Sequence, residues 1–223
     1  MNKENRLTPS LISYLTIRKA LGILGIALPL VMIAGSVLLG HCHEIQSSIS
    51  AYYYTNMRNV FVGIIFSIAL FLFSYRGYEK KDAMAGKLAC FFAVCVALFP
   101  TTLDEPSTTC LIHFSHSSIS SSVHFISAAG FFLTLSYFSI FLFTKSEEKP
   151  TRMKRKRNEL YRICGYIMLA CLVLIAAYTI CDTHGGCSAI TSLKPIFWLE
   201  TIALWAFGIS WLTKGKGLLT DKD

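Results

Sequence analysis

Apolar stretches long enough to cross a bilayer recur along this chain, and no other feature narrows its fold as much. Six can be drawn, at Ala20–Gly40, Asn59–Tyr75, Ala83–Pro100, Val123–Phe143, Ile163–Ile180 and Pro195–Trp211, with short polar connectors between them. A hydrocarbon core about 30 Å thick takes about 20 apolar residues of helix. Lipid satisfies no stray backbone group, so up-and-down helices are the way such segments cross. Composition agrees: 53% of residues are hydrophobic, 15% are charged, and mean hydropathy is +0.52. A soluble domain carries about 25% charged residues. An ordinary water-soluble globule is excluded, and the expected fold is an all-α integral membrane protein, a six-helix transmembrane bundle. The second stretch is short, and Tyr52, Tyr53 and Tyr54 are expected to extend it into the headgroup layer, where amphipathic rings settle.

Charge gives the direction. With a cytoplasmic N-terminus, 19 of the 21 Lys and Arg residues fall on inner segments, leaving only Arg58 and Lys194 outside. Basic residues collect in cytoplasmic loops, so both termini are expected inside, and an even number of spans follows. The chain then divides into an N-terminal cytoplasmic segment (1–19), a six-span domain (20–213) and a cytoplasmic tail (214–223). Arg18-Lys19 ahead of a full-length apolar run reads as a signal anchor, and no cleavable signal is expected. The formal charge of +8 invites a nucleic-acid reading, but the run Arg152–Arg157 lacks aromatic interleaving or a binding fold. It reads as a loop determinant drawn to anionic lipid, so membrane lipids are the expected partners and nucleic acid is not. Tyr161, Trp198 and Trp211 fall near span ends and read as interfacial anchors.

The polar residues crowd the other face. All six histidines, His41, His43, His113, His116, His124 and His184, fall on outer segments, with Glu44, Asp104, Glu105 and Asp182. These are the ligand types that zinc uses. If the fourth helix begins near Leu111, then His113, His116, Ser117, Ser120, His124 and Ser127 share a stripe about 100° wide. Solvated loop residues are the simpler account of the same pattern. Glu200 lies inside the sixth span, about 7–8 Å below its outer boundary at 1.5 Å per residue. A carboxyl group at that depth faces inward with a partner, and two are open: Arg58 and His124. Four cysteines, Cys90, Cys95, Cys164 and Cys171, lie in spans as small apolar packers. The other four face outward, where an even number points to two disulfides. Gly185-Gly186 lets Cys181 turn back on Cys187, and elimination leaves Cys42 with Cys110, one of three connectivities.

Several segments carry a resemblance: SISAYYYTNMRNVFVG (48–63), SYRGYE (74–79), ALFPTT (97–102), RNELYRICG (157–165) and FWLETIALWAFGISWLTKG (197–215). Together they resemble uncharacterised multi-pass bacterial membrane proteins of the domain-of-unknown-function 998 type, which implies architecture and no chemistry. A more distant likeness is to alkaline ceramidases and adiponectin-receptor-like proteins, which are membrane-embedded zinc hydrolases. Ser120-x-x-x-His124 fits the first element of their pattern and Asp104 could supply the acid. The late paired histidines and a seventh span are missing.

Two functions compete. In the first, an outer-leaflet pocket binds a lipid, small ligand or partner, with Arg58, Tyr53, His124 and Glu200 offering hydrogen bonds. In the second, His113, His116 or His124 holds zinc, Glu200, Asp104 or Ser120 completes the catalytic set, and metal-bound water cleaves a lipid amide or ester. The first asks least of these residues and is the reading favoured.

Overall fold

The computed structural model describes residues 9–77, 79–102, 110, 118–145, 151–216 and 218. Its long elements are α1 (Pro9–Gly40), α2 (Arg58–Phe73), α3 (Lys80–Leu98), α4 (Ser118–Tyr137, continued by a π turn over Phe138–Leu142), α5 (Arg152–Thr183) and α6 (Pro195–Lys214). Short 3-10 turns, η1 (Ser50–Tyr54) and η2 (Ser188–Leu193), precede α2 and α6. No strand occurs among the described residues. Four helical segments are long and apolar enough to cross a membrane: Tyr14–Gly40, Ser118–Leu142, Arg152–Thr183 and Pro195–Lys214. That is the make-up of a membrane protein; α2 is apolar but shorter.

Local chemistry sets the helix ends. Glu79 and Asp82 form a reciprocal capping box at the start of α3, satisfying amide groups that the first turn leaves open. Thr151 caps α5 by accepting from the Lys154 amide at 3.1 Å. Pro195 opens α6, where its missing N–H is no loss, and Lys194 before it turns into the left-handed region with φ 52°.

Each helix packs on the next in the chain, and α6 returns to α1, so the circuit is closed. The closing seam is built on glycine. A Cβ at Gly22 would lie 2.7 Å from Gly208 O, and one at Gly208 would lie 2.7 Å from Gly22 O. Two backbones thus meet where no side chain fits, the small-residue contact that membrane helices favour. Trp205 reinforces it by donating to Ile26 O at 3.2 Å. Pairing Gly22 with Gly208 and Ile26 with Trp205 runs the two helices antiparallel. The end holding the start of α1 and the end of α6 is called basal below, and the opposite end apical.

Several expectations change here. The run Arg152–Arg157 is the opening of α5 rather than a loop, because Lys and Arg are good helix formers and water bonds the exposed turns. Tyr161 and Trp211 are 2% and 0% exposed, so they are core residues and not interfacial anchors. Trp211 packs on Tyr75, Phe138, Phe143 and Phe207 with centroids 5.1–6.0 Å away. Trp198 is exposed. Tyr52, Tyr53 and Tyr54 do not extend α2; they form η1 and are buried. Among the span cysteines, Cys164 and Cys171 are buried, while Cys90 and Cys95 are half-buried.

Candidate functional site

The chain between α1 and α2 is pinned at the apical end by a carboxylate from α6. Glu200 Oε2 accepts the Ile49 N–H at 2.6 Å, and the Ser50 amide bonds the same carboxylate. These amides open η1, where helical N–H groups have no partner inside the helix. A carboxylate there makes charge-assisted bonds. Glu200 therefore finds its partners in backbone amides rather than in Arg58 or His124, the side chains expected from the sequence.

Those two side chains serve other neighbours. Arg58 Nη2 donates to Tyr53 Oη at 2.6 Å, and its guanidinium carbon sits 4.4 Å from the Tyr53 ring centroid. His124 is buried on the inner face of α4, where Nδ1–H donates to Phe99 O at 2.7 Å. Ser120, one turn earlier, donates to Pro100 O at 3.1 Å, and the Tyr54 hydroxyl donates to Thr101 O. Three successive carbonyls beyond α3 are thus each held by a different side chain. Burial of Tyr54 pushes its phenol up to about 12, helped by the nearby Tyr53 and opposed by Arg58.

Glu200 also walls a cavity of about 40 Å³ between the helices. Leu28, Phe61, Ile65, Val96, Phe131 and Leu204 supply apolar surface, and Ser50 and Glu200 are its polar members. A buried water needs about 10–15 Å³, so a few small atoms fit. The chemistry is that of a carboxylate beside a serine in an otherwise apolar chamber.

Of the residues singled out from the sequence, Glu200 reaches this cavity, and Ser120 and His124 share the buried face of α4 beside it. Arg58 and Tyr53 pair with one another at the start of α2. Asp104, His113 and His116 lie outside the described residues, and so does the stretch of the polar stripe before Ser118. Among the described residues no group of three His, Cys, Asp or Glu side chains is placed to hold a metal ion. Cys42 and Cys110, and Cys181 and Cys187, are brought to bonding distance, each pair with 5.6 Å between Cα atoms. Sequence reasoning missed Ser50 and Tyr54. The signal for Tyr54 was Pro100, which stops α3 and leaves carbonyls in need of donors.

No protein-family description, curated protein or solved structure matches this chain.

Proposed function

We propose that this chain is a multi-pass protein of the cell membrane, with six spans and both termini cytoplasmic, whose outward half binds the donor-bearing end of a lipid or small amphiphile at Glu200. One observation carries the binding reading: an acceptor carboxylate, fixed by the Ile49 and Ser50 amides, sits in the wall of an otherwise apolar cavity. Apolar walls favour a hydrocarbon body, and an acceptor carboxylate selects a hydroxyl, amide or amine at its head. The cavity volume supports entry of a chain end or head of a few atoms, not of a whole lipid. The closed circuit of helices and the 19-to-2 division of basic residues support the six-span topology.

Native mass spectrometry of the full chain, released from membranes in mild detergent, tests the reading. Wild type is expected to carry a small co-purifying adduct that Glu200→Gln loses, since Gln keeps the volume and removes the charge. Identical spectra for the two would refute it. Elemental analysis of the same sample separates the hydrolase reading, because stoichiometric zinc would move the centre to the histidines.

A further inference from the structure

A groove of about 410 Å³ lies between α3 and α4 on the outside of the bundle, against about 40 Å³ for the chamber beside Glu200. Its α3 side is one stripe, Lys81, Met84, Ala85 and Leu88, spaced as a single helix face repeats. Leu133, Thr134 and Tyr137 of α4 form the other side. Small residues make the depression. Ala85 and Thr134 are each 7% exposed and form its floor, while Met84, Leu88, Leu133 and Tyr137 stand exposed along its walls. The Thr134 hydroxyl donates to Gly130 O within its own helix at 2.7 Å, so the floor presents little polarity. Toward the apical end the seam closes. There the Phe92 ring fills the space over Gly130, and a Cβ on that glycine would lie 2.5 Å from it.

Lys81 and Tyr137 mark the basal end of the groove. Tyr14 of α1 donates to Arg76 O just ahead of α3, and Lys145 beyond α4 meets Glu79 at 3.1 Å, which brings these ends together. Lys145 also reaches Asp82 at 3.5 Å, so the acids at the start of α3 already have a cation. The groove is thus amphiphilic along its length, with an ammonium and a phenol at one end and hydrocarbon for the rest. We propose that it holds an acyl chain of an anionic phospholipid, whose phosphate meets Lys81 and Tyr137. Its volume falls within the range of ligand pockets, about 300–1,000 Å³. A lysine lays its stem along apolar surface and carries its charge to the polar boundary, where a phosphate makes charge-assisted bonds. A soluble anion would leave the apolar walls uncovered, and a neutral lipid would make no use of Lys81. The site is separate from the Glu200 chamber, which takes Ala93, Val96 and Phe131 from the same two helices.

The test reconstitutes the full chain in phosphatidylcholine vesicles with a trace of photoreactive lipid, and maps crosslinks by peptide mass spectrometry. Two lipids carry the same diazirine on one acyl chain, under a phosphatidylglycerol or a phosphatidylcholine head. The phosphatidylglycerol form is expected to label 84–88 and 133–137 at least about fivefold more than the phosphatidylcholine form. Both should label exposed Val173 and Leu174 of α5 equally, which gives the level of bulk lipid. Lys81→Gln should remove the preference at the groove and leave α5 labelling as it was. Lys156→Gln, an equal loss of charge on an exposed part of α5, should keep the preference. Ala85→Phe should fill the floor and lower groove labelling by both lipids to the α5 level. If that variant does not accumulate, Lys81→Gln decides, because Lys81 lies on the surface. Glu200→Gln should leave the pattern unchanged, so loss of ligand at Glu200 reads separately. Equal labelling of the groove by both lipids, or a preference that survives Lys81→Gln, would overturn the proposal.

Discussion

Glu200 spends its charge on backbone amides, and this changes what its removal does. Glu200→Ala takes away the bonds to Ile49 and Ser50 and is expected to lower stability by about 2–3 kcal/mol. Adding Arg58→Gln should be additive within about 0.5 kcal/mol, because Arg58 is engaged with Tyr53. A double-mutant cycle in thermal or denaturant unfolding checks this, and coupling above about 1 kcal/mol would mean that the two charges meet. Tyr54 gives a pH signature. Its phenol titrates at about 12 in the fold against an ordinary 10, so the neutral form is favoured on folding. That contribution is fully present below pH 10 and is lost as pH rises toward about 12. Tyr54→Phe should remove this alkaline loss and cost about 1–2 kcal/mol at neutral pH, leaving buried Thr101 O without its donor. Unfolding curves from neutral to alkaline pH read both effects. The sequence made Glu200 conspicuous, since a carboxylate in an apolar run needs a partner. It could not name that partner, because any backbone amide can serve and amides leave no mark in a sequence.

Among the elements, the glycines separate contact from open space. Gly208→Val forces a side chain against Gly22 O, and should cost at least about 3 kcal/mol or prevent assembly. A Cβ added at Gly63, within α2, would meet nothing inside 4 Å, so Gly63→Ala should be neutral or stabilising by up to about 1 kcal/mol. Yield and melting temperature of the two variants, side by side, decide this. Apolar runs located the helices well because lipid penalises every charge within them. They located the ends poorly, since α5 already begins at Arg152, well ahead of the apolar stretch that opens at Ile163. Trp211 and Tyr161 were misjudged for a related reason: an amphipathic ring suits an interface and a core equally, and only packing on Phe143 distinguishes them. The stripe on α4 was legible from Ser120 to Ser127 because buried polar residues repeat with the helix turn.

Taken as a whole molecule, the proposed topology predicts that a cysteine introduced at residue 155 of intact cells reacts only with a membrane-permeant thiol reagent. Labelling by an impermeant reagent would invert the arrangement. The disulfides belong to the same scale. Cys42–Cys110 spans 68 residues and ties the end of α1 to the connection before α4, whereas Cys181–Cys187 spans 6 within one turn. Loop closure makes the longer link the more stabilising, so Cys42→Ser should lower the melting temperature more than Cys181→Ser. Non-reducing peptide mapping reads the pairing itself.

The glycine seam between α1 and α6 has a consequence for how the protein is made. When α1 leaves the ribosome it carries a face shaped for α6, and that partner arrives only after the four long helices between them. Until then that groove must be occupied by lipid tails or by the insertion machinery, and each must be displaced when α6 arrives. Nascent chains stopped before Pro195 should therefore remain crosslinkable to the insertase through α1, and release should coincide with emergence of α6.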